Sequence, residues 1–459
     1  MKDKLLKILD RKKILILGFG KEGQSSYRII RQIIPESQIV IADKNKGAFS
    51  LDGFQNTPAC KMISGEKYLE GLGKYDLIIK SPGIPSHLFP KDIAQKKITS
   101  QTELFLQLYS KQVIGVTGTK GKSTTSSLIY HILSTSFDDV VLVGNIGVPP
   151  FEVLEGIHDE TKIVFEMSAH QLENISVSPR FAVLLNIFQE HLDHFKTYDA
   201  YQYAKFNILR FQKDGDCLVY NTDNPVVCGG VKNGEVCQDQ IPLSLVHHKG
   251  IGVFGTADGE VLVNLSNEKQ TVDFTKRKQL PGKHNLMNIM AAVAICRKLQ
   301  VSLEIITRAI FDFKGLPHRL EYIGKYKGVY FYNDSIATIP EAVIEAVKTL
   351  KDVDTLILGG KDRGIDYSGL VDFLLNGKVR NIVFIGKAGD RILAEIKETK
   401  EILGFNCFRI KRFQEIGDIV LQNTEPGKIC LLSPAASSYD MFSSFEERGG
   451  AFKKIAENL

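Results

Sequence analysis

The stretch Gly115-Val-Thr-Gly-Thr-Lys-Gly-Lys-Ser-Thr124 joins the end of an apolar strand to the start of a helix. A glycine-rich turn at a helix start directs unpaired backbone N–H groups at one point, where a polyphosphate can accept their hydrogen bonds. Lys122 would neutralise phosphate oxygens, and the Ser123 hydroxyl would reach Mg²⁺. The strict G-x-x-x-x-G-K-[ST] spacing is not kept, because its first glycine falls on Val116. The stretch predicts a nucleotide-phosphate site, and the alternative is an ordinary glycine-rich turn.

Upstream, the chain has the order strand, glycine-rich turn, helix, strand and acid. Residues 14–17 form a short apolar run, Gly18-Phe-Gly-Lys-Glu-Gly23 follows, residues 24–34 suit a helix, and the run 39–42 ends at Asp43. This order is typical of a nucleotide-binding βαβ unit, in which the acid accepts from a ribose hydroxyl. Taken alone, the unit suggests a dinucleotide and an NAD-dependent oxidoreductase. A third strand, residues 76–80, leads into Ser81-Pro-Gly83, and residues 102–110 suit a helix.

Length and composition indicate a soluble protein of several domains. The chain has 459 residues, which at roughly 150 residues per domain suggests about three. Its mean hydropathy is −0.06, and no apolar run approaches the roughly 18 residues of a membrane span. Residues 1–13 mix acids with bases and suit a surface helix rather than a signal peptide.

Charge and cysteine usage exclude several classes of protein. The net charge of +5 is a mild excess that suits anionic small molecules and is weak evidence for nucleic acid, and no dense Lys/Arg run interleaved with aromatic residues occurs. The seven cysteines are scattered and form no C-x-x-C pair, so neither a disulfide framework nor a zinc site is expected. A reducing cytoplasm fits this usage best.

Two further α/β units follow the first. In the second, the run 162–165 ends at Glu166, and the run 181–185 is followed by Asn186, Glu190, His191 and Asp193. Residues 217–275 suit short strands and turns, and residues 284–299 suit a helix. After residue 319, strands at 329–332, 355–358, 381–385 and 429–432 predict a third unit with its own parallel sheet. The predicted fold class is therefore α/β throughout.

Glu166, His191 and Lys205 form a candidate group, because a metal-bound triphosphate needs hard or borderline ligands near the phosphate loop. The order of residues along the chain does not show that they converge. The competing interpretations are a salt-bridged surface acid, a loop histidine and a solvated helix lysine.

Nine motifs occur along the chain in a fixed order. They are Gly118-Thr-Lys-Gly-Lys-Ser-Thr124, Gly144-Asn-Ile-Gly147, Glu166-Met-Ser-Ala-His-Gln-Leu172, His191-Leu-Asp193, Lys205, His284-Asn285 with Asn288, Gly315-Leu-Pro-His-Arg319, Asn333-Asp-Ser335 and Leu432-Ser-Pro-Ala435. Their order and content resemble the Mur ligase family nearly from end to end. The resemblance implies a Rossmann-like UDP-substrate domain at residues 1–110, a P-loop ATP domain at 111–314 and a Rossmann-like glutamate domain at 315–459.

The resemblance also implies a role for each candidate residue. The UDP-sugar substrate would be bound by Gly18, Phe19, Gly20, Asp43, Ser81, Pro82, Gly83, Asn145 and Ser168. ATP would be bound by Gly118, Thr119, Lys120, Gly121, Lys122, Ser123, Thr124, Asn285, Asn288, Arg319 and Asp334. The metal ligands for two Mg²⁺ sites would be Ser123, Glu166, His191 and Lys205 as a carbamate, and the catalytic residues Lys122, Glu166, His191 and Lys205. Glutamate would contact Thr338, Arg363, Ser438 and Phe445.

Within the family, the motifs are most similar to those of members that add D-glutamate to UDP-N-acetylmuramoyl-L-alanine in peptidoglycan synthesis. This implies an acyl-phosphate intermediate made with ATP and Mg²⁺, in a cytoplasmic monomer without nucleic-acid or membrane partners. At three positions the chain departs from many relatives, with Ile336 in place of lysine, Glu190 in place of aspartate and His170 in place of an aromatic residue. The stretch 334–341 also resembles a branch that includes L-glutamate-adding relatives. Other Mur or folylpolyglutamate-type ligases and a nucleotide switch without ligation are further alternatives.

Overall fold

Three sheets follow one another along the chain in a computed structural model that describes residues 2–49, 60–90, 93–94, 97–234, 238–247, 249–256, 259–265, 269–275, 280–400 and 402–459. The chain divides into two compact units. Unit 1 comprises Met1–Thr275 and Met287–Ile310, and unit 2 comprises Lys276–Leu286 and Phe311–Leu459. Within the described residues, no helix combines the length and apolar character needed to cross a membrane.

The first sheet, in unit 1, is parallel and has the strand order β3-β2-β1-β4-β5 among the described residues. Every side chain of β1 is buried, as expected for a parallel strand covered on both faces. Helix α1 is amphipathic, since Leu5 and Leu9 are fully buried while its other face is in solvent. The elements are α1 Lys2–Leu9, β1 Ile14–Leu17, α2 Lys21–Ile33, β2 Ile39–Asp43, β3 Cys60–Ser64, β4 Leu77–Lys80, β5 Ile98–Thr99 and α3 Gln101–Tyr109.

The second sheet, also in unit 1, has the order β14-β13-β12-β11-β10-β9-β6-β8-β7 in the described part of the chain. Strands β7 to β12 and β6 run parallel, and β13 and β14 add an antiparallel edge. The elements are β6 Val113–Thr117, α4 Lys122–Leu133, β7 Val140–Gly144, β8 Lys162–Glu166, α5 Ala169–Leu172, β9 Phe181–Leu184, α6 Leu192–Phe195, α7 Tyr198–Arg210, β10 Cys217–Asn221, α8 Pro225–Lys232, β11 Asp239–Ser244, β12 Gly252–Gly255, β13 Glu260–Asn264 and β14 Gln270–Asp273. Two helices follow, α9 Lys283–Lys298 and α10 Leu303–Asp312, and most of each belongs to unit 1.

The third sheet belongs to unit 2 and has the order β15-β16-β20-β17-β18-β19 among the described residues. It is mixed, which corrects the expectation of a parallel sheet, because β15 pairs antiparallel with β16. The elements are β15 Glu321–Tyr326, β16 Val329–Asn333, α11 Pro340–Leu350, β17 Val353–Gly359, α12 Ser368–Leu375, β18 Asn381–Ile385, α13 Gly386–Thr399, β19 Asn406–Arg409, α14 Ile416–Asn423, β20 Ile429–Leu432 and α15 Phe445–Glu457.

Short 3-10 turns connect several of these elements, at Lys46–Phe49, Gly65–Leu69, Leu72–Lys74, Ser86–Leu88, Ser110–Gln112, Pro150–Val153 and Phe413–Glu415. The strands of the three sheets fall within the three predicted spans 1–110, 111–314 and 315–459. The boundaries of those spans as domains stay a prediction. In each parallel region the carboxyl ends of the strands face one edge, where open α/β sheets bind ligands.

Candidate active site

The glycine-rich turn of the first sheet lies at the carboxyl ends of β1, β2 and β4. Gly18 has φ 90°, and Gly23 packs so closely that an added Cβ would lie 2.1 Å from the Gly18 carbonyl oxygen. The Phe19 N–H donates to Asp43 Oδ2 at 2.6 Å, and Ser81 Oγ donates to the Gly18 carbonyl at 2.9 Å. The structure therefore brings together the predicted UDP residues of this sheet.

Asp43 has a structural task in this turn. Its Oδ1 accepts from the Asn45 N–H at 2.7 Å, so both carboxylate oxygens hold backbone N–H groups. The contact between Asp43 and a ribose hydroxyl therefore stays a prediction. In such a contact the hydroxyl would donate to a carboxylate oxygen that already accepts a backbone hydrogen bond.

A cavity of about 220 Å³ lies where the first and second sheets of unit 1 meet. It is smaller than the roughly 300–1,000 Å³ of a cleft that takes a whole drug-sized ligand, so it suits one part of a larger substrate. Its lining contains three of the predicted substrate residues, Pro82, Asn145 and Ser168, together with Lys21, Glu22, Gly144, Gly147, Pro149 and Gln171.

The phosphate loop connects β6 to α4. Gly118 and Gly121 have φ values of 157° and 88°, and an added Cβ at Gly121 would lie 2.4 Å from Asn288 Oδ1. The loop is held from β9, since the Thr119 N–H donates to the Asn186 carbonyl at 2.8 Å. The Thr119 hydroxyl lies 3.0 Å from Tyr201 Oη. This tethering keeps the loop N–H groups in place for an anion.

The lysines of the loop behave differently. Lys122 Nζ donates to the carbonyls of Gly118 and Thr119, each at 2.9 Å, and so lies over its own loop. Lys120 is solvent-exposed and pairs with Glu190 at 2.6 Å. Ser123 and Thr124 occupy the first turn of α4. Glu190, one of the departures noted above, is thus the partner of a loop lysine.

Glu166 ends β8 beside the loop and is fully buried. Its Oε1 accepts from Asn145 Nδ2 at 3.0 Å, and within the described residues its buried Oε2 has no hydrogen-bond partner. A buried carboxylate oxygen left in this way costs about 1–3 kcal/mol or more. A Mg²⁺ ion would offset that cost, so this donor fits the expected metal.

No three His, Cys, Asp or Glu side chains form a metal-binding group in the described residues. Mg²⁺ usually takes one or two carboxylates and completes its shell with substrate phosphates and water. The donors that fit such a site here are the Glu166 carboxylate and the Ser123 hydroxyl, with Lys205 if it is carbamylated. Which of them hold a metal stays a prediction.

Lys205, on α7, is only 1% exposed. Its Nζ donates to the Gly118 carbonyl at 2.8 Å and to Thr117 Oγ1 at 3.4 Å, and it lies 5.1 Å from the Tyr201 ring centroid. Burial, followed by the positive charge of Lys122, lowers the pKa of Lys205 well below its usual value. A neutral amine is the form that reacts with CO₂, so this environment suits the predicted carbamate.

His191 adopts the left-handed conformation, φ 56°, at the start of α6. Its ring lies 4.8 Å from that of His170 and 6.1 Å from that of Tyr201, measured between centroids. His170 is also 4.3 Å from His194, and burial with these two neighbours lowers the pKa of His170 to about 4. His170, one of the departures noted above, therefore packs among histidines and is itself neutral at physiological pH.

The remaining nucleotide candidates divide between the two units. Asn288, in unit 1, lies against Gly121 as described above, whereas Asn285, in unit 2, donates from Nδ2 to the Pro281 carbonyl at 2.8 Å. Arg319 and Asp334 both belong to unit 2. Asp334 is only 5% exposed, and its carboxylate accepts hydrogen bonds from Ser433 Oγ at 2.8 Å and from the Leu320 N–H at 3.1 Å. Burial raises the pKa of Asp334 to about 7.

We expect Asp334 to make unit 2 less stable as pH rises. Because its pKa lies near 7 when folded and near its ordinary value of 3.8 when unfolded, the native state binds more protons between these values. The free energy of unfolding should fall by up to about 1.4 kcal/mol per pH unit from this group. Urea unfolding of Asp334→Asn across this range should show a flatter pH dependence than the parent protein, and exposed Asp372→Asn should not. A parent-minus-variant difference that is constant with pH would contradict this expectation.

The predicted glutamate residues lie in unit 2, with Thr338, Arg363 and Ser438 in loops and Phe445 at the first residue of α15. Arg363 Nη2 donates to the Thr338 carbonyl at 3.3 Å, and the Phe445 carbonyl accepts from Ser335 Oγ at 2.8 Å. Ser438 is buried in the loop after β20, and its carbonyl accepts from Phe442 N–H at 2.9 Å. Ile336, between Ser335 and Thr338, is partly buried. The structure thus brings Arg363 together with Thr338, and Phe445 together with Ser335. The roles of the four residues in binding glutamate stay predictions.

Arg448 was not found by sequence reasoning, although it holds these loops together. It lies on α15, is fully buried, and donates to Ser335 Oγ, the Ser335 carbonyl and the Ala436 carbonyl at 3.0, 2.8 and 3.1 Å. Burial lowers its pKa to about 10. An arginine in a charged helix is typical of a solvated face, so no sequence signal indicated this role.

Two other contacts were also missed. Tyr201 lies one helical turn before Lys205, and its hydroxyl meets Thr119, so the i, i+4 spacing on α7 carried a signal for it. The buried Lys80 and the partly buried Glu173 form an ion pair at 3.0 Å across the first and second sheets of unit 1. Only contact between the sheets reveals that pair.

Comparison with known proteins identifies the class. Residues 116–296 match the family model of the Mur ligase middle domain, and residues 318–436 match that of the Mur ligase glutamate ligase domain. Together with near full-length relatives at more than 30% identity, these matches show that the chain belongs to the Mur ligase family.

The relatives carry a more particular name. A Desulfitobacterium hafniense protein named UDP-N-acetylmuramoylalanine--D-glutamate ligase is 34% identical over 97% of this chain and 98% of its own length. A Geobacillus kaustophilus protein of the same name is 32% identical over 98% of each chain.

Solved structures support the fold. A MurF ligase from Thermotoga maritima, in complex with ADP, covers 97% of this chain and 95% of its own with a TM-score of 0.59 at 18% identity. A MurF from Acinetobacter baumannii gives a TM-score of 0.58 at 17% identity, covering 94% of this chain and 88% of its own. The α/β fold predicted from the sequence is thereby confirmed.

Proposed function

We propose that this enzyme adds D-glutamate to UDP-N-acetylmuramoyl-L-alanine in peptidoglycan precursor synthesis, at the expense of ATP. The observation that carries the proposal is the meeting of three groups in unit 1: the phosphate loop, the unpartnered Glu166 oxygen and the buried Lys205 amine. The names of the relatives support the choice of substrates.

In the first step, a carboxylate oxygen of the substrate's alanine attacks the γ-phosphorus of ATP. A new O–P bond forms, the bond between the γ-phosphorus and the β,γ-bridging oxygen breaks, ADP leaves, and an acyl phosphate remains. Both reactants are anions, so their repulsion must be offset by the loop N–H groups and Lys122. Bound Mg²⁺ would supply further neutralisation of the phosphate charges.

In the second step, the deprotonated glutamate amine attacks the acyl carbon. The C–N bond forms, the C–O bond to phosphate breaks, the nitrogen loses a proton to solvent or to the phosphate, and inorganic phosphate leaves. The loops around Arg363 and Ser438 are the proposed amino-acid site. Water must be kept from the acyl phosphate, because hydrolysis would waste it.

The test is phosphate release from ATP and Mg²⁺ with UDP-N-acetylmuramoyl-L-alanine, in parallel with D-glutamate, L-glutamate and no amino acid, with product mass measured. We expect release and a gain of one glutamyl residue with the D isomer only. Product with L-glutamate only would move the enzyme to the L-glutamate branch suggested by residues 334–341. Phosphate release at the same rate with either glutamate isomer and with no amino acid would indicate a nucleotide switch rather than a ligase. The monomeric state and the cytoplasmic location stay predictions.

A further inference from the structure

Glu22 ties the glycine-rich turn of the first sheet to the second sheet. It lies in the first turn of α2, and its Oε1 accepts from Gln171 Nε2 at 2.8 Å. Its backbone carbonyl accepts from Gln101 Nε2 at 3.1 Å. Within the described residues its buried Oε2 has no hydrogen-bond partner, so the contact with Gln171 accounts for the hydrogen bonds of this carboxyl.

The orientation of Gln171 follows from its other contacts. Gln171 Oε1 accepts from the Ser168 N–H at 2.9 Å and from Ser168 Oγ at 3.1 Å, which leaves Nε2 to face Glu22. Ser168 Oγ in turn accepts from the Gln171 N–H at 3.2 Å and caps α5. Glu22, Gln171 and Ser168 therefore form one connected chain of hydrogen bonds.

This chain ends beside the proposed reaction centre. Ser168 follows Glu166 by two residues, and Glu166 is bonded to Asn145. The 220 Å³ cavity is lined by Glu22, Gln171, Ser168 and Asn145 together. A substrate part that fills the cavity thus touches both ends of the hydrogen-bonded chain.

We infer that Glu22 is a positioning residue for the acyl substrate: through Gln171 it sets Ser168 and the turn after Glu166. The inference rests on the proposed function, because that function supplies the acyl substrate. Glu22 would thereby link the glycine-rich turn of the first sheet to the region around Glu166, the carboxylate at the end of β8 in the second sheet. The competing interpretation is a tie that only stabilises the packing of the two sheets.

The charge of Glu22 indicates which variant preserves the contact. Burial raises the pKa of its carboxyl, while the Gln171 hydrogen bond and the charge of Lys80 act in the opposite direction. Glutamine keeps the shape and one acceptor oxygen, so Glu22→Gln is the conservative variant and Glu22→Ala the disruptive one.

The test compares KM for UDP-N-acetylmuramoyl-L-alanine with KM for ATP in each variant. Loss of a hydrogen bond to a charged or strongly polar group corresponds to about a tenfold change or more. We therefore expect Glu22→Ala to raise the first KM about tenfold and to change the second by less than about twofold. Glu22→Gln should recover most of the loss.

Glu103→Ala is the matched control. Glu103 is a buried glutamate of α3 that also ties the sheets, through Ser176 N–H at 2.8 Å and Ser176 Oγ at 2.5 Å, but it does not line the 220 Å³ cavity. It should lose stability without a change in either KM. Equal KM values for Glu22→Ala and the parent, or equal increases for Glu22→Ala and Glu103→Ala, would overturn the inference.

Two further measurements keep the inference separate from folding and from the proposed function. If Glu22→Ala does not fold, Glu22→Met keeps the size of the side chain, removes the acceptor for Gln171 Nε2 and leaves the hydrogen bonds between Gln171 and Ser168 in place, so it is interpreted in the same way. If the parent protein ligates neither glutamate isomer, the proposed function fails. Calorimetric titration with UDP-N-acetylmuramoyl-L-alanine then decides the inference: a tenfold loss of affinity in Glu22→Ala supports it, and equal or absent binding overturns it.

Discussion

Lys205→Ala is expected to lose at least about 100-fold in ligation rate, and formate or acetate should restore part of it. The physical reason is the environment of the amine. It is 1% exposed and bonded to the Gly118 carbonyl, and burial with the nearby charge of Lys122 lowers its pKa. The neutral amine attacks CO₂, an N–C bond forms and a proton leaves, so a neutral amine beside the phosphate loop becomes an anionic carbamate. A small carboxylate can occupy the space left by alanine and supply the missing oxygens.

The control for this experiment is Lys213→Ala, at an exposed lysine in the loop between α7 and β10. It should keep the parent rate. Enzyme exchanged into ¹³C-labelled bicarbonate should also show a carbamate carbonyl signal in the parent that is missing from Lys205→Ala. Full activity of Lys205→Ala, or a folded but inactive variant that no carboxylate rescues, would count against the carbamate.

Lys122→Met is expected to lower kcat/KM for ATP by about 1,000-fold. In the structure Lys122 Nζ bonds two carbonyls of its own loop, each at 2.9 Å, so it must turn towards the nucleotide when phosphate oxygens arrive. Methionine keeps the length of the side chain and removes its charge. The repulsion between the substrate carboxylate and the γ-phosphate would then be offset by the loop N–H groups and bound Mg²⁺ without this cation.

The rate of Lys122→Met is to be measured beside Lys111→Met, an exposed lysine before β6 that lies outside the loop. The control should retain the parent kcat/KM. Thermal unfolding should show both variants folded. A loss of less than about tenfold in Lys122→Met would mean that the loop N–H groups carry the phosphate charge largely alone.

Strands buried on both faces were the most predictable part of the fold. The runs 381–385 and 429–432 match β18 and β20 residue for residue, because continuous apolar segments bounded by polar turns have few other structures open to them. The antiparallel strand β15 was not predicted. Its side chains are mostly half-buried, so the sequence carries no continuous apolar run there.

Helix α8 is a second element that the sequence did not predict. Residues 217–275 were expected to form strands and turns, yet Pro225–Lys232 is helical, starting from an Asn224 side chain that accepts from the Val227 N–H at 3.1 Å. Two glycines within this helix argued for a turn. Proline in the first turn and the asparagine cap favour the helix, and they outweigh the cost of the glycines.

The residues of the candidate site also differ in how far the sequence predicts them. The phosphate loop and the residues at the ends of β6 and β8 follow from local spacing, since the carboxyl ends of neighbouring parallel strands meet at one edge. The unpaired oxygen of Glu166 and the contacts of Lys205 depend on packing between distant elements, and no spacing rule contains them. The hydrogen bond between Glu22 and Gln171 and the ion pair between Lys80 and Glu173 each join two sheets, so they too depend on packing between distant elements.

The buried guanidinium of Arg448 also bears on how the protein is made. It belongs to a helix that ends at Glu457, and it anchors loops that begin more than a hundred positions earlier, at Ser335. Domains generally fold as units while the polypeptide leaves the ribosome. The first sheet has all its strands by Thr99, whereas the Ser335 and Ala436 loops cannot lock until α15 has emerged. A nascent polypeptide can therefore assemble its phosphate loop before the loops at Ser335 and Ala436 are held in place by Arg448.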